Sequence, residues 1–255
     1  MAIMYTFDDL KDKIRRYFRF TKEETKAVII SILAYAFIIS FRDWGGEEFS
    51  FAIGFGNLLL AILIMAITIL AHVCVQRVAA LHVGFRAEYK LWIYGVLISL
   101  LFCILTRGYL WFLFLPGGIY LHMLSQHRLG YFRYGLNLMA HSLIALIGPL
   151  TNITLALFFR MIQPVFPANA FIQKVIVVNL LFAIITMLPI PPLDGSRVFF
   201  HRRLIYAFFL GVIIGIAVFI TAHIGIILTL LGSVLFGGAA WLLYYMTLER
   251  KFWTT

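Results

Sequence analysis

Residues 51–76 read FAIGFGNLLLAILIMAITILAHVCVQ and contain no Asp, Glu, Lys or Arg. A hydrocarbon core of about 30 Å needs about 20 apolar residues at about 1.5 Å per helical residue, so this stretch predicts a transmembrane helix. His72 and Gln76 stand four residues apart near its end and therefore share one helix face. A polar pair on an apolar helix carries a free-energy penalty and calls for a specific role.

The composition of the whole chain agrees with a membrane protein. Of 255 residues, 63% are hydrophobic and 13% are charged, and the mean hydropathy is +0.97. Soluble domains average about 45–50% apolar and about 25% charged residues. The net charge of +10 is spread over loops between apolar stretches, which argues against a nucleic-acid partner and leaves the lipid bilayer as the expected environment.

Eight apolar segments follow one another along the chain. They are residues 26–41, 51–76, 91–106, 109–124, 136–159, 172–192, 204–222 and 225–247. If all cross the membrane from a cytoplasmic N-terminus, most Lys and Arg residues, including Arg77, Arg128, Arg133 and Lys251, fall on the cytoplasmic side. This pattern predicts an all-α, multi-pass protein of the cell membrane with six to eight transmembrane segments and both termini in the cytoplasm. The short pair within 91–124 is also compatible with a re-entrant hairpin.

Residues 1–25 form a basic amphipathic N-terminal segment. Phe7, Leu10, Ile14 and Phe18 recur at helical spacing among basic residues, which suits a helix on an anionic membrane surface or one docked on the protein itself. Thr21 and Glu24 have the spacing of a capping box that starts the next helix. Since no repeat or linker interrupts the remainder, we expect residues 26–255 to be one membrane domain.

Three polar clusters lie at membrane depth. His72 and Gln76 end the second span, the motif GPLTN (148–152) is expected to interrupt the fifth, and TMLPIPPLDG (186–195) ends the sixth. The prolines must unwind the backbone before Asp194, and unwound backbone in a membrane is tolerated only where it lines protein or a wet cavity. We therefore predict a cytoplasm-facing cleft that includes Gly148, Pro149, Asn152, Thr186, Pro189, Pro191 and Pro192. The alternative is an ordinary turn in which Asp194 caps local amides.

Small residues at helical spacing mark close packing near the C-terminus. Ala207, Gly211 and Gly215 predict a tight helix contact within residues 204–247. The same spacing is compatible with a homo-oligomer, although contact within one chain is the commoner use.

The motifs LPIPPLDG, preceded by Asn179, and GPLTN resemble the second signature of the site-2 protease family of intramembrane zinc metalloproteases. AHVCVQRVAALHVGF lies where that family carries its H-E-x-x-H motif, and EYKLW (88–92) fits the short polar segment that follows. The resemblance covers about residues 22–203. It implies a site-2 protease-like helical core to which 204–247 adds a helical pair.

In that family two histidines and an aspartate bind zinc, and a glutamate takes a proton from the bound water. The resemblance implies that His72 is the first histidine and Asp194 the aspartate. Val73 stands at the glutamate position and cannot accept a proton, while Gln76 at the second histidine position offers only a weak amide oxygen. Thr186 replaces an asparagine of the proline motif.

Two further residues bear on the missing ligand and the missing base. His141 is a candidate third ligand in a His, His, Asp site. Glu88, twelve residues beyond Gln76, is interpreted as a loop ion-pair partner rather than a base.

The favoured hypothesis is a member that has lost catalysis, has no catalytic residue and no resident cofactor, and binds or scaffolds a membrane protein or an extended peptide. One alternative is an active zinc metalloprotease that uses His72, Asp194 and a non-standard third ligand. Another is a transporter or a membrane-complex subunit, which predicts repeat symmetry between the halves that the sequence lacks.

Overall fold

The computed structural model describes residues 7–45, 49–124 and 138–250. The start of the N-terminal segment, the first two residues of segment 136–159, and Arg128, Arg133 and Lys251 of the charge pattern lie outside these ranges. The chain forms two compact units, residues 1–148 and 149–255.

The secondary structure is mainly helical. The first unit contains α1 (Phe7–Tyr17), α2 (Lys22–Ser40), α3 (Phe51–Val83), β1 (Phe85–Leu91), α4 (Ile93–Leu105), β2 (Gly117–Met123) and the first part of α5 (Leu138–Ile162). The second contains the rest of α5, a 3-10 turn (Gln163–Val165), α6 (Ala170–Thr186), α7 (Asp194–His201), α8 (Arg203–Thr221), α9 (Ile226–Tyr244) and a π-helical turn (Tyr245–Glu249).

Four helical stretches of the described chain are long and apolar enough to cross a membrane. They are Phe51–Val83, Leu138–Val165, Arg203–Thr221 and Ile226–Glu249. Large apolar side chains such as Ile227 and Leu235, each 75% exposed, cover the outside of α9, as expected where lipid is the solvent. The prediction of an α-helical membrane protein is confirmed, while the count of six to eight spans and the orientation stay predictions.

The helical span predicted for 109–124 is wrong. Residues 117–123 form β2, which pairs antiparallel with β1 from Phe85 opposite Met123 to Leu91 opposite Gly117. Pro116 disfavours helix before it, and Gly117 has φ of +132° with its Cα against the Lys90 carbonyl, where a side chain would clash. Hydropathy alone does not separate a short apolar strand from a helix.

The interruption predicted at GPLTN is also wrong, because α5 continues through Gly148 and Pro149 without a break. The unwound backbone predicted before Asp194 is confirmed. Residues 187–193 form consecutive turns between α6 and α7, and they include a cis Pro191–Pro192 bond.

The predicted tight contact near the C-terminus is an intramolecular packing of α8 on α9. A Cβ built on Gly211 would lie 2.7 Å from Ala240 Cβ and 2.9 Å from Gly237 Cα, and one on Gly215 would lie 3.1 Å from Ser233 Cα. Both glycines therefore allow the two helix backbones to approach closely.

The N-terminal helix docks on the protein itself, which is one of the two arrangements that the sequence predicts for it. Helix α1 packs against α3, and Lys13 is buried in a 2.7 Å ion pair with Asp9. The predicted capping box at the start of α2 is confirmed. Glu24 N donates to Thr21 Oγ1 at 3.2 Å, and Thr21 N donates to Glu24 Oε2 at 2.8 Å.

A buried ion pair joins four segments of the first unit. Glu24 Oε1 pairs with Arg77 Nη2 and accepts a hydrogen bond from Tyr89 N at 3.1 Å. Arg77 Nη1 donates to the carbonyls of Phe18 at 2.8 Å and Arg19 at 3.0 Å. The charge pattern groups Arg77 with the loop cations that set topology. Its side chain is instead fully buried, because Glu24 of α2 and two carbonyls of the chain after α1 supply its partners.

Glu24→Gln is expected to lower the free energy of unfolding by about 3–5 kcal/mol, because it leaves Arg77 buried without a counter-charge. The adjacent Glu23→Gln provides the control. Its exposed 3.3 Å pair with Lys26 should contribute less than about 1 kcal/mol. Denaturant titration of the full chain in detergent micelles measures both, and equal losses would contradict the assigned role of the buried pair.

Candidate functional site

Helix α3 presents His72 and Gln76 to α5 within the first unit. His72 is 5% exposed and Gln76 is fully buried. A Cβ built on Gly148 would overlap Gln76 Nε2 and the His72 ring, whose Cε1 would lie 2.6 Å away. Glycine at 148 therefore lets the imidazole and the amide approach the α5 backbone, and the structure brings together these three predicted site residues.

The Gln76 amide explains how α5 continues through proline. Pro149 has no backbone N–H, so the Ala145 carbonyl four residues earlier loses its intrahelical donor. Gln76 Nε2 donates to this oxygen at 3.1 Å. Because a carbonyl accepts only from a donor, the amide orientation follows from the contact, and Gln76 replaces the missing hydrogen bond.

Val73 lies on α3 directly after His72 and is 2% exposed. Its isopropyl group is part of the apolar core and can neither take a proton nor orient water. The position that the family resemblance assigns to a general base is therefore an apolar packing position.

In the second unit, Asp194 is the first residue of α7 and is 2% exposed. The N-cap position belongs to Leu193. Gly195 lies against the backbone of Met187, where an added Cβ would overlap the Met187 carbonyl. Glycine is therefore required after Asp194, because the backbone of the preceding turn leaves no room for a side chain at 195.

Asn152 is the most unusual polar residue of the second unit. It is fully buried, and among the described residues neither its Oδ1 nor its Nδ2 has a hydrogen-bond partner. By contrast, Thr186 Oγ1 donates to Phe182 O at 2.8 Å and Asn179 Nδ2 donates to Val175 O at 2.9 Å, both within α6. A buried amide without partners costs about 1–3 kcal/mol, which makes Asn152 a candidate ligand-binding residue.

The remaining predicted residues lie elsewhere. His141 packs its ring against Phe85 with centroids 5.0 Å apart. Pro189 and Pro191 are exposed in the turns before α7, and Pro192 is partly exposed. In the described ranges no group of three His, Cys, Asp or Glu side chains could hold a metal ion, and the third-ligand role of His141 stays a prediction.

Catalytic zinc takes three protein ligands and one water, with a nearby base. The groups around His72 do not fit this requirement, because Gln76 directs its donor to Ala145 and Val73 is apolar. Glu88, predicted to be an ion-pair partner rather than a base, lies on β1 and contacts His122 across the sheet at 3.0 Å. We therefore derive no chemical step through a metal.

Sequence reasoning missed the Glu24–Arg77 pair beside this site. Its two members stand 53 positions apart, so no local motif links them. A signal was nevertheless present, since Arg77 interrupts the apolar pattern of α3 before the helix ends and a cation there calls for a carboxylate partner.

The fold defines an α-helical membrane protein. The chain is 26% identical over 196 residues to "Putative zinc metalloprotease MJ0611" of Methanocaldococcus jannaschii. The match covers 74% of this chain and 90% of that protein. No family model matches the chain, and no solved structure matches it at the significance required.

Gln76→Leu should lower the free energy of unfolding by about 1–3 kcal/mol, because it leaves the Ala145 carbonyl buried without a donor. In a Pro149→Ala background the same substitution should cost less, since alanine restores the intrahelical N–H. A double-mutant cycle in detergent micelles measures this coupling. A cost that is the same in both backgrounds would rule out the proline-compensating role.

Proposed function

We propose that this protein is a site-2 protease-like membrane protein that has lost peptidase catalysis and binds or scaffolds a transmembrane helix or an extended peptide. The similarity to the M. jannaschii protein supports an origin among metalloproteases. One observation supports the loss of catalysis. The base position holds an apolar residue, Val73, and the position of the second histidine holds Gln76, whose amide is hydrogen-bonded to Ala145.

The carboxylates of the first unit support this reading. Glu24 is engaged by Arg77, and Glu88 lies against His122. Removal of a general base typically lowers a rate by about 10²–10⁴-fold, and loss of a ligand weakens metal binding as well. A site with neither the base nor the second histidine should retain no useful peptidase activity.

Two features support binding of an extended chain. Among the described residues β2 pairs with no strand other than β1, so a further strand could be added at its second edge. In the second unit, the turns at 187–193 expose Pro189, Ile190 and Pro191 outside any helix. Strand edges and unwound backbone are the elements with which extended peptides form main-chain hydrogen bonds.

Asn152 adds a polar contact in the second unit. A buried amide to which the described residues supply no hydrogen-bond partner can donate to and accept from the backbone of a bound segment. The loop charge bias further supports multi-pass insertion in the cell membrane with both termini in the cytoplasm.

An active zinc metalloprotease is the second candidate, favoured by the printed name of the M. jannaschii relative. Zinc analysis and a peptide-cleavage assay on the purified protein distinguish the active protease from the non-catalytic binding protein. We expect zinc well below one per chain, unchanged in His72→Ala, and no cleavage. The Val73→Glu, Gln76→His double variant provides a comparison, since it restores the family's donor types and should raise zinc content. One zinc per chain, lost in His72→Ala or Asp194→Ala and accompanied by cleavage, would overturn our proposal.

Peptide binding can be tested with a photo-crosslinking amino acid at Ile190, which is 42% exposed. The matched control carries the crosslinker at Leu243, an exposed apolar position on α9. Irradiation in native membranes should yield a specific polypeptide adduct at 190 only.

The Asn152→Leu variant tests whether the Asn152 amide serves peptide binding or the stability of the fold. Removing an unpartnered buried amide should raise the free energy of unfolding by about 1 kcal/mol, while the adduct at 190 falls about fivefold. Equal adducts at 190 and 243, or an adduct unaffected by Asn152→Leu, would count against the binding proposal.

A further inference from the structure

One end of the second unit contains a pocket that plays no part in the proposed function. An open pocket of about 560 Å³ lies there, bordered by the end of α5, the 3-10 turn, the start of α6 and the turn between α8 and α9. Its polar lining consists of Arg160, Gln163, Gln173 and His223, and the lining contains no carboxylate.

Arg160 is the charged centre of this pocket, and its partners are neutral. Its Nη1 donates to Gln163 Oε1 at 2.5 Å. Its Nη2 lies 3.3 Å from His223 Nδ1, which fits donation to a neutral imidazole. Gln173 uses one amide hydrogen for the Pro167 carbonyl at 3.2 Å. A guanidinium and two amide side chains thus line one open volume.

No acidic residue in the described part of the second unit lies near this charge. Within 149–250 the only carboxylates are Asp194 and Glu249. Asp194 follows the far end of α6, about 25 Å along a helix of 17 residues, and Glu249 ends the helical stretch that α9 begins at the pocket. An arginine that faces a pocket without a counter-ion matches the chemistry of phosphate binding.

The start of α9 adds to the positive potential. Gly225 and Ile226 line the pocket, and the N-cap Gly225 offers no side chain to the first backbone N–H groups of the helix. These groups carry the positive end of the helix dipole.

The surroundings favour a lipid as the source of the phosphate. The pocket lies at the ends of membrane-length helices, where headgroups are expected. Beside it the apolar side chains of Val165, Phe166 and Ile227 are 70%, 53% and 75% exposed, which suits contact with the glycerol and upper acyl region. We propose that this pocket binds the phosphate headgroup of an anionic phospholipid.

Native mass spectrometry of the full chain, released from detergent micelles after titration with phosphatidylglycerol, tests the proposal. Wild type should retain the lipid, and Arg160→Gln should bind it about tenfold more weakly, as expected for loss of a charge-assisted hydrogen bond. Arg202→Gln is the control, since it removes an exposed arginine from the opposite end of α8.

Gln173→Glu gives a second variant that should fold normally, because residue 173 is exposed. A carboxylate there should neutralise the pocket and weaken lipid binding to a similar extent. Equal lipid retention in wild type and both pocket variants would overturn the proposal. So would displacement of the lipid by millimolar inorganic phosphate, which would indicate a site for the free anion.

Discussion

The buried pair between Glu24 and Arg77 sets the arrangement of the first unit. A charge in a low-dielectric interior is tolerated only when its counter-charge and hydrogen bonds are in place, so this pair holds the start of α2, strand β1 and the chain after α1 against α3. Arg77 also directly follows Gln76. Since neighbouring helical residues differ by about 100° in direction, anchoring Arg77 fixes the rotation of α3 and directs Gln76 towards α5.

That rotation links stability to the candidate site. Gln76 donates to the carbonyl that Pro149 leaves without a partner, and Gly148 provides the space for His72 beside it. The position that the family resemblance matches to a second zinc ligand therefore stabilises a proline-containing helix here. An imidazole at 76 would have to divide its two ring nitrogens between metal and carbonyl, whereas a primary amide meets the backbone requirement alone. Glutamine at 76 is therefore well suited to the fold, although its amide oxygen is a weak ligand for zinc.

Local signals were sufficient for much of the fold. The capping box at Thr21 and Glu24, the apolar run of α3 and the glycines of α8 all depend on residues close in sequence, and their predictions were confirmed. The errors involve distant partners. The continuity of α5 depends on a donor 69 positions away, and the burial of Arg77 on a carboxylate 53 positions away. Strand β2 was missed because hydropathy reports burial but not backbone conformation. The site predictions identified positions, whereas the roles of Gln76 and Asn152 required the contacts.

The polar groups of the second unit lie at opposite ends of α6. Asp194 and the unwound prolines lie between α6 and α7, while Arg160 and its pocket lie where α6 begins and α8 passes into α9. In the proposed assignment a bound headgroup would restrain the pocket end, because one phosphate would contact side chains from α5, α6 and the α8–α9 turn. The exposed proline turns lie at the other end of α6, away from the groups that the phosphate would contact. Under both proposals, the two ends of the unit therefore have separate tasks: one end holds a lipid phosphate, and the other exposes Pro189, Ile190 and Pro191 to a peptide.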